Sequence, residues 1–163
     1  MHSRFLATTG LVALAMVAAA CGGSTPSASN PSPSPSPSPS PAAAGTTIAV
    51  ATNATHGQIL VDGKGMTVYL FVADTGTSST CYGSCATIWP PVLTDGAPKA
   101  GNGAVASLLG TTTRTDGKVE VTYAGHPLYY FITDKAAGDT TGQGVNGFGA
   151  LWWVMSPSGA AIH

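Results

Sequence analysis

The chain has 163 residues, a formal net charge of −1 and only 8% charged side chains. That length fits one ordinary domain plus extensions, and the absence of any Lys/Arg cluster argues against a nucleic-acid partner, because phosphate backbones demand concentrated positive charge. With so few charges, the surface must draw its polar groups from Thr, Ser, Gly and Asn.

Met1–Arg4 carries one permanent positive charge, Phe5–Ala20 is apolar, and Ala18-Ala19-Ala20 leads into Cys21. A short charged start, an apolar run and small residues at a cleavage point define a secretory signal over residues 1–20. The run is shorter than the roughly 20 apolar residues that span a bilayer. It resembles a bacterial lipoprotein signal, in which the residue after cleavage is a cysteine acylated on sulfur and on the new amine. The resemblance implies lipidation of Cys21, a bilayer partner through the acyl chains, and a place on the extracytoplasmic side of a cell membrane. Each buried methylene contributes about 0.8 kcal/mol, so two or three chains anchor durably where one does not. Loss of Arg4 with the signal leaves five basic and seven acidic side chains, a formal charge of −2.

Residues 21–47 read as a tether. Proline alternates with serine from Pro31 to Pro41. Proline lacks an N–H and restricts the residue before it, so neither helix nor sheet can form. At about 3.1 Å per residue in an extended polyproline II conformation, this run spans roughly 34 Å.

Ile48–His163 remains for folding, and it reads as all-β. Strands are expected at Thr47–Ala51, Gln58–Val61, Thr67–Ala73, Lys118–Tyr123, Leu128–Thr133 and Leu151–Met155, all short and rich in β-branched and aromatic residues. Glycine turns separate them, and Asp116-Gly117 is a hairpin signal. Short helical turns are expected at Ser84–Ile88, stopped by Pro90, and at Ala104–Leu109.

Two strands look like copies. Thr67-Val-Tyr-Leu-Phe-Val-Ala-Asp74 lies over Pro127-Leu-Tyr-Tyr-Phe-Ile-Thr-Asp134, so Tyr69, Phe71 and Asp74 match Tyr129, Phe131 and Asp134. The expected domain is therefore a single one built from two pseudo-repeats of antiparallel strands, at about 57–95 and 118–157. Alternate side chains share a face, so Tyr69 and Phe71 point one way and Val68, Leu70 and Val72 the other. Both sets are apolar, which predicts a central strand covered on both sides. Asp74 and Asp134 end their strands, where a carboxylate can accept from backbone N–H groups of the next turn.

The duplicated Tyr-x-Phe-x-x-Asp resembles the bacterial lipoproteins with a repeated Tyr-x-(Phe/Trp/Tyr)-x-x-Asp motif, called secreted repeats of unknown function. The resemblance covers nearly all of Gln58–Pro157. It includes Cys81-Tyr-Gly-Ser-Cys85-Ala-Thr-Ile-Trp89-Pro-Pro91 and the stretch from Gly138-Asp-Thr-Thr-Gly-Gln-Gly144 to Trp152. It implies an exported, commonly lipidated module without an established activity.

Among residues that could carry chemistry, Cys81 and Cys85 come first. In an oxidising compartment an i,i+4 pair can close a disulfide within a turn, contributing about 2 kcal/mol. The rival use is redox, copper or haem handling by the same pair, with any metal borrowing ligands from His56, His126 or Met66. No nucleophile motif or phosphate loop is present, so no enzyme, cofactor or metal is expected. Trp89, His126, Tyr130, Trp152 and Trp153 are the candidates for a binding surface, because aromatic side chains suit glycan or protein contact. Adjacent Trp152 and Trp153 cannot both face inward on a one-sided strand. The expected function is a membrane-anchored, non-catalytic binding module with an envelope protein or glycan as partner.

Overall fold

The computed structural model describes residues 43–163. The expected signal at 1–20, Cys21 and the Pro/Ser run lie outside the described residues.

Each half of the domain starts with a hairpin. Strands β1 (Thr47–Asn53) and β2 (Gly57–Asp62) pair antiparallel from Ile48↔Asp62 to Asn53↔Gly57. The Asn53 carboxamide oxygen closes their turn by accepting from the N–H groups of Thr55 and His56. The first motif strand, β3 (Tyr69–Phe71), follows, then helix α1 (Ser84–Ile88) and the two-residue β4 (Lys99–Ala100). The second half repeats the opening with β5 (Leu109–Thr113) and β6 (Val119–Tyr123), paired from Leu109↔Tyr123 to Thr113↔Val119. Its turn closes through Arg114 N–H to the Lys118 carbonyl at 2.9 Å, and Gly117 takes the left-handed φ of 80° that the reversal requires. Then come β7 (His126–Pro127), β8 (Asn146–Gly147) and β9 (Ala150–Val154).

Three small sheets result, in the orders β2-β1-β4, β3-β9-β8 and β5-β6-β7. All pairings are antiparallel except the short parallel contact of β1 with β4. The all-β expectation holds. Both helical turns form as well, the second as a single 3-10 turn at Ala106–Leu108.

The motif strands are less regular than their sequences suggest. Ladder pairing in the first is confined to Tyr69–Phe71. In the second, the expected strand Leu128–Thr133 is held by isolated bridges of Tyr129 to Tyr69 and to Pro91 and turns at Ile132–Thr133, where Asp134 N–H bonds the Phe131 carbonyl. Its neighbour on one side is the Ile88–Val92 stretch. There Tyr130 and Ile132 donate to the carbonyls of Pro90 and Ile88, and Val92 donates to the Leu128 carbonyl. Pro90 and Pro91 have no N–H to return, so a regular ladder cannot form.

The two-sided burial of the motif strand is real. Tyr69 and Phe71 enter one core cluster with Trp89, Tyr129 and Trp152, while Val68 and Leu70 enter a second with Val121, Leu128 and Met155. Val72 departs from the expectation at 52% exposure. The chain has already turned there, with Asp74 N–H bonded to the Phe71 carbonyl, so the alternation no longer points Val72 inward.

Candidate functional site

The two copies of the motif interlock. Tyr69 and Tyr129 exchange backbone hydrogen bonds, N–H to carbonyl, at 2.8 and 3.0 Å. Their hydroxyls then cross to the opposite repeat: Tyr69 donates to Asp134 Oδ2 at 2.7 Å and Tyr129 to Asp74 Oδ2 at 2.5 Å. Each aspartate uses its other oxygen locally. Asp74 Oδ1 accepts from the N–H and hydroxyl of Thr80, and Asp134 Oδ1 from those of Thr141. The expected role, a carboxylate folded onto the following loop, is therefore half of what each aspartate does. Burial first, and then the facing Asp134, hold the Tyr69 hydroxyl far above the ordinary phenol range; burial, Glu120 and Asp74 do the same at Tyr129. Both phenols stay protonated and remain donors.

Beneath this clamp the rings form one column. Phe71 stacks on Trp152, Trp152 on Trp89 and Trp89 on Phe131, with centroids 4.0 Å apart at each step. Tyr69 meets Trp89 edge-on at 5.4 Å, and Tyr129 meets Trp152 edge-on at 5.1 Å. The order is palindromic because duplicated residues face each other across the pseudo-twofold. Gly142 is part of the fit, since a Cβ there would lie 2.8–2.9 Å from Trp89 and Tyr69.

The Cys81–Cys85 disulfide lies in the same cluster, with Cα atoms 5.2 Å apart and both residues buried. Next to it is a buried ion pair. Arg114, on the β5–β6 turn, donates from Nη1 to Glu120 Oε2 at 2.6 Å and to Ser79 Oγ, and from Nη2 to the Cys81 carbonyl. Both side chains are fully buried; Glu120 Oε1 has no hydrogen-bond partner, and Arg114 Nε makes no hydrogen bond but lies 3.6 Å from Asp116 Oδ2. Burial pushes the Glu120 carboxyl up to about 7, with Arg114 pulling the other way. Ser79 is also within 2.7 Å of the Tyr129 hydroxyl, so the ion pair joins the Tyr129–Asp74 clamp.

One open cleft of about 300 Å³ lies beside the second motif. Met66, Pro90, Phe131 and Ile132 supply its apolar lining, and Asp62, Lys64, Tyr130 and Asp134 its polar groups. Asp62 is fixed by accepting from the N–H groups of Lys64 and Met66 through Oδ1 and from the Tyr130 hydroxyl through Oδ2. Burial, and then the Asp62 charge, raise the Tyr130 phenol above its usual range, so it stays a donor. Phe131 is half-buried, with one ring face against Trp89.

A family model described as a secreted repeat of unknown function matches residues 50–93 and again 110–156, more than half of the chain. The chain belongs to that family. No curated protein and no solved structure matches it. The two matched stretches of the secreted repeat begin one strand earlier than the limits expected at 57 and 118, because each repeat includes part of its opening hairpin. A secreted family fits an extracellular location, and among the described residues no helix is long and apolar enough to cross a membrane.

In this secreted repeat two of the residues put forward for a binding surface need correction. Trp89 and Trp152 are 1% and 0% exposed and form the middle of the ring column, so neither reaches a partner. Trp153 is half-buried on the opposite face, edge-on to His163. His126 is half-buried in β7 with Nδ1 unpartnered, and Tyr130 lines the cleft. The sequence reading missed Arg114, Glu120 and Ser79, and it gave no role to Asp62 or Lys64 of the cleft. A lone glutamate flanked by Val119 and Val121 in a strand of so lightly charged a domain was the available signal for the ion pair.

Proposed function

We propose that this protein is a lipoprotein held at the extracytoplasmic face of a cell membrane through acylated Cys21, and that its duplicated β domain is a non-catalytic binding module working through the cleft beside Tyr130. The observation that carries the reading is the division of labour among the polar and aromatic groups. The motif tyrosines, aspartates and tryptophans are engaged with one another, whereas the cleft presents Lys64, Tyr130, Phe131 and Ile132 at an open surface. A concave, largely apolar site with a few fixed polar groups is the usual form of a small-ligand or partner contact.

Mass spectrometry of the mature amino terminus tests the anchor, and an unacylated Cys21 in membrane extracts refutes it. For the cleft, a photoreactive residue at Ile132 is expected to capture envelope material that the same residue at Val105 does not. Both positions are comparably exposed, at 43% and 44%, and Val105 is not in the cleft. Equal capture at the two positions removes the cleft from the reading. The rival role in redox, copper or haem handling draws no support from the disulfide's setting, because sulfurs reached by exchange partners must be accessible and Cys81 and Cys85 are 0% and 5% exposed.

A further inference from the structure

We infer that the cleft takes a neutral saccharide ring, as in a hexose or N-acetylhexosamine unit of an envelope glycan. This rests on the cleft being the binding surface and adds the chemistry of its ligand.

The duplication supplies the first argument. Phe71 and Phe131 are equivalent residues that close the two ends of one ring column. Phe71 is 3% exposed, whereas Phe131 is half-buried and lines the cleft. One end of a near-symmetric scaffold is thus closed and the other open. The ring at the open end is backed by Trp89 and flanked edge-on by Tyr69, so it is held in place before any ligand arrives. Ordering costs at such a platform are already met by the fold.

The polar groups supply the second. Lys64 brings an ammonium with three donors, while Asp62 Oδ2 takes only the Tyr130 hydroxyl from the protein and keeps acceptor capacity. An anionic ligand would face the carboxylates of Asp62 and Asp134. A cation would face Lys64. A wholly apolar molecule would dehydrate the Asp62 carboxylate and the Tyr130 hydroxyl without replacing their water, which is costly. A sugar ring has an apolar C–H face for Phe131, Pro90 and Ile132, and an edge of hydroxyls that both donate and accept. The volume, about 300 Å³, lies at the small end of the roughly 300–1,000 Å³ range of ligand sites. It suits one ring of a longer chain that continues past the open rim.

The test is methyl NMR on the full-length protein labelled at methionine and isoleucine. Cellobiose, N,N′-diacetylchitobiose and a galactobiose are each titrated through the millimolar range. The Met66 and Ile132 methyls are expected to shift saturably with at least one disaccharide, while buried Met155 and Ile59 stay put. Lys64→Ala is expected to weaken that binding about threefold and Phe131→Leu about tenfold or more, by removing the platform. Because Phe131 also packs on Trp89, the exposed Lys64 keeps the test valid if Phe131→Leu unfolds. A tetralysine peptide and a short-chain quinone serve as the other arms. Shifts at Met66 and Ile132 with one of these alone overturn the saccharide and leave the binding module standing. No cleft shift with any probe overturns both, as do sugar shifts that Lys64→Ala and Phe131→Leu leave unchanged.

Discussion

Removing the Tyr69 hydroxyl alone tests whether the halves hold each other. In Tyr69→Phe the 2.7 Å bond to Asp134 disappears, together with the longer bond that the phenol oxygen accepts from Gly142 N–H at 3.3 Å. A hydrogen bond to a charged group contributes about 1.5–3 kcal/mol. Asp134 keeps the N–H and hydroxyl of Thr141, so the loss falls toward the lower part of that range, about 2 kcal/mol. For a domain of this size that lowers the melting temperature by about 8 °C. The assay is denaturant unfolding followed by tryptophan fluorescence, with Tyr69→Phe combined in turn with Asp134→Asn and with Asp74→Asn. A coupling energy of about 1 kcal/mol or more is expected with Asp134, and one within about 0.5 kcal/mol of zero with Asp74. Larger coupling inside one repeat than between repeats, or two separate unfolding transitions, would refute the crossed clamp.

Replacing both Cys81 and Cys85 with serine is expected to cost about 2 kcal/mol by the chain-entropy relation for so small a loop; unchanged stability would show that α1 holds the loop by itself. Glu120→Gln probes the buried pair. A carboxyl raised to about 7 favours folding in its protonated form, so its contribution is complete below about 4.5 and is lost as pH rises through about 7. The shift corresponds to about 3 kcal/mol, and the difference in stability between wild type and Glu120→Gln should narrow toward acid and widen toward neutral pH. A difference independent of pH defeats this reading. At the β8–β9 tip, Phe148 and Gly149 form the two-residue turn between paired Gly147 and Ala150, and Phe148 sits at φ 57°. Asparagine tolerates that backbone far better, so Phe148→Asn is expected to add about 1 kcal/mol of stability in thermal melts; a loss would mean that the exposed ring makes contacts worth more than its strain.

Fold class, the Asp116-Gly117 hairpin, the helical turn at Ser84–Ile88 and the disulfide were legible because each follows from local chemistry: alternation, turn residues, a proline stop and two nearby cysteines. The duplication was legible from spacing. Its physical meaning was not, because spacing cannot say whether Tyr69 meets its own Asp74 or the Asp134 of the other copy. The tryptophans misled for a related reason. A tryptophan beside a Gly-rich loop looks available, and only the ring column shows that Trp89 and Trp152 fill each other's space. The cleft was hidden because its sides come from residues 62–66, Pro90 and 130–134, which no local pattern joins. The ion pair escaped because Arg114 finds Glu120 across its own turn, yet Ser79 and Cys81 from the other half.

The pairing of β3 with β9 has a consequence for the order in which the chain can mature. Leu70 and Phe71 find their strand partners only at Trp153 and Trp152, in the closing part of the second repeat. A nascent polypeptide emerging amino end first therefore leaves its first half without a finished sheet until Trp152 and Trp153 have been made. Such a delay keeps the early half threadable through a narrow channel, and it makes a prematurely terminated product a target for proteases rather than a working half-molecule.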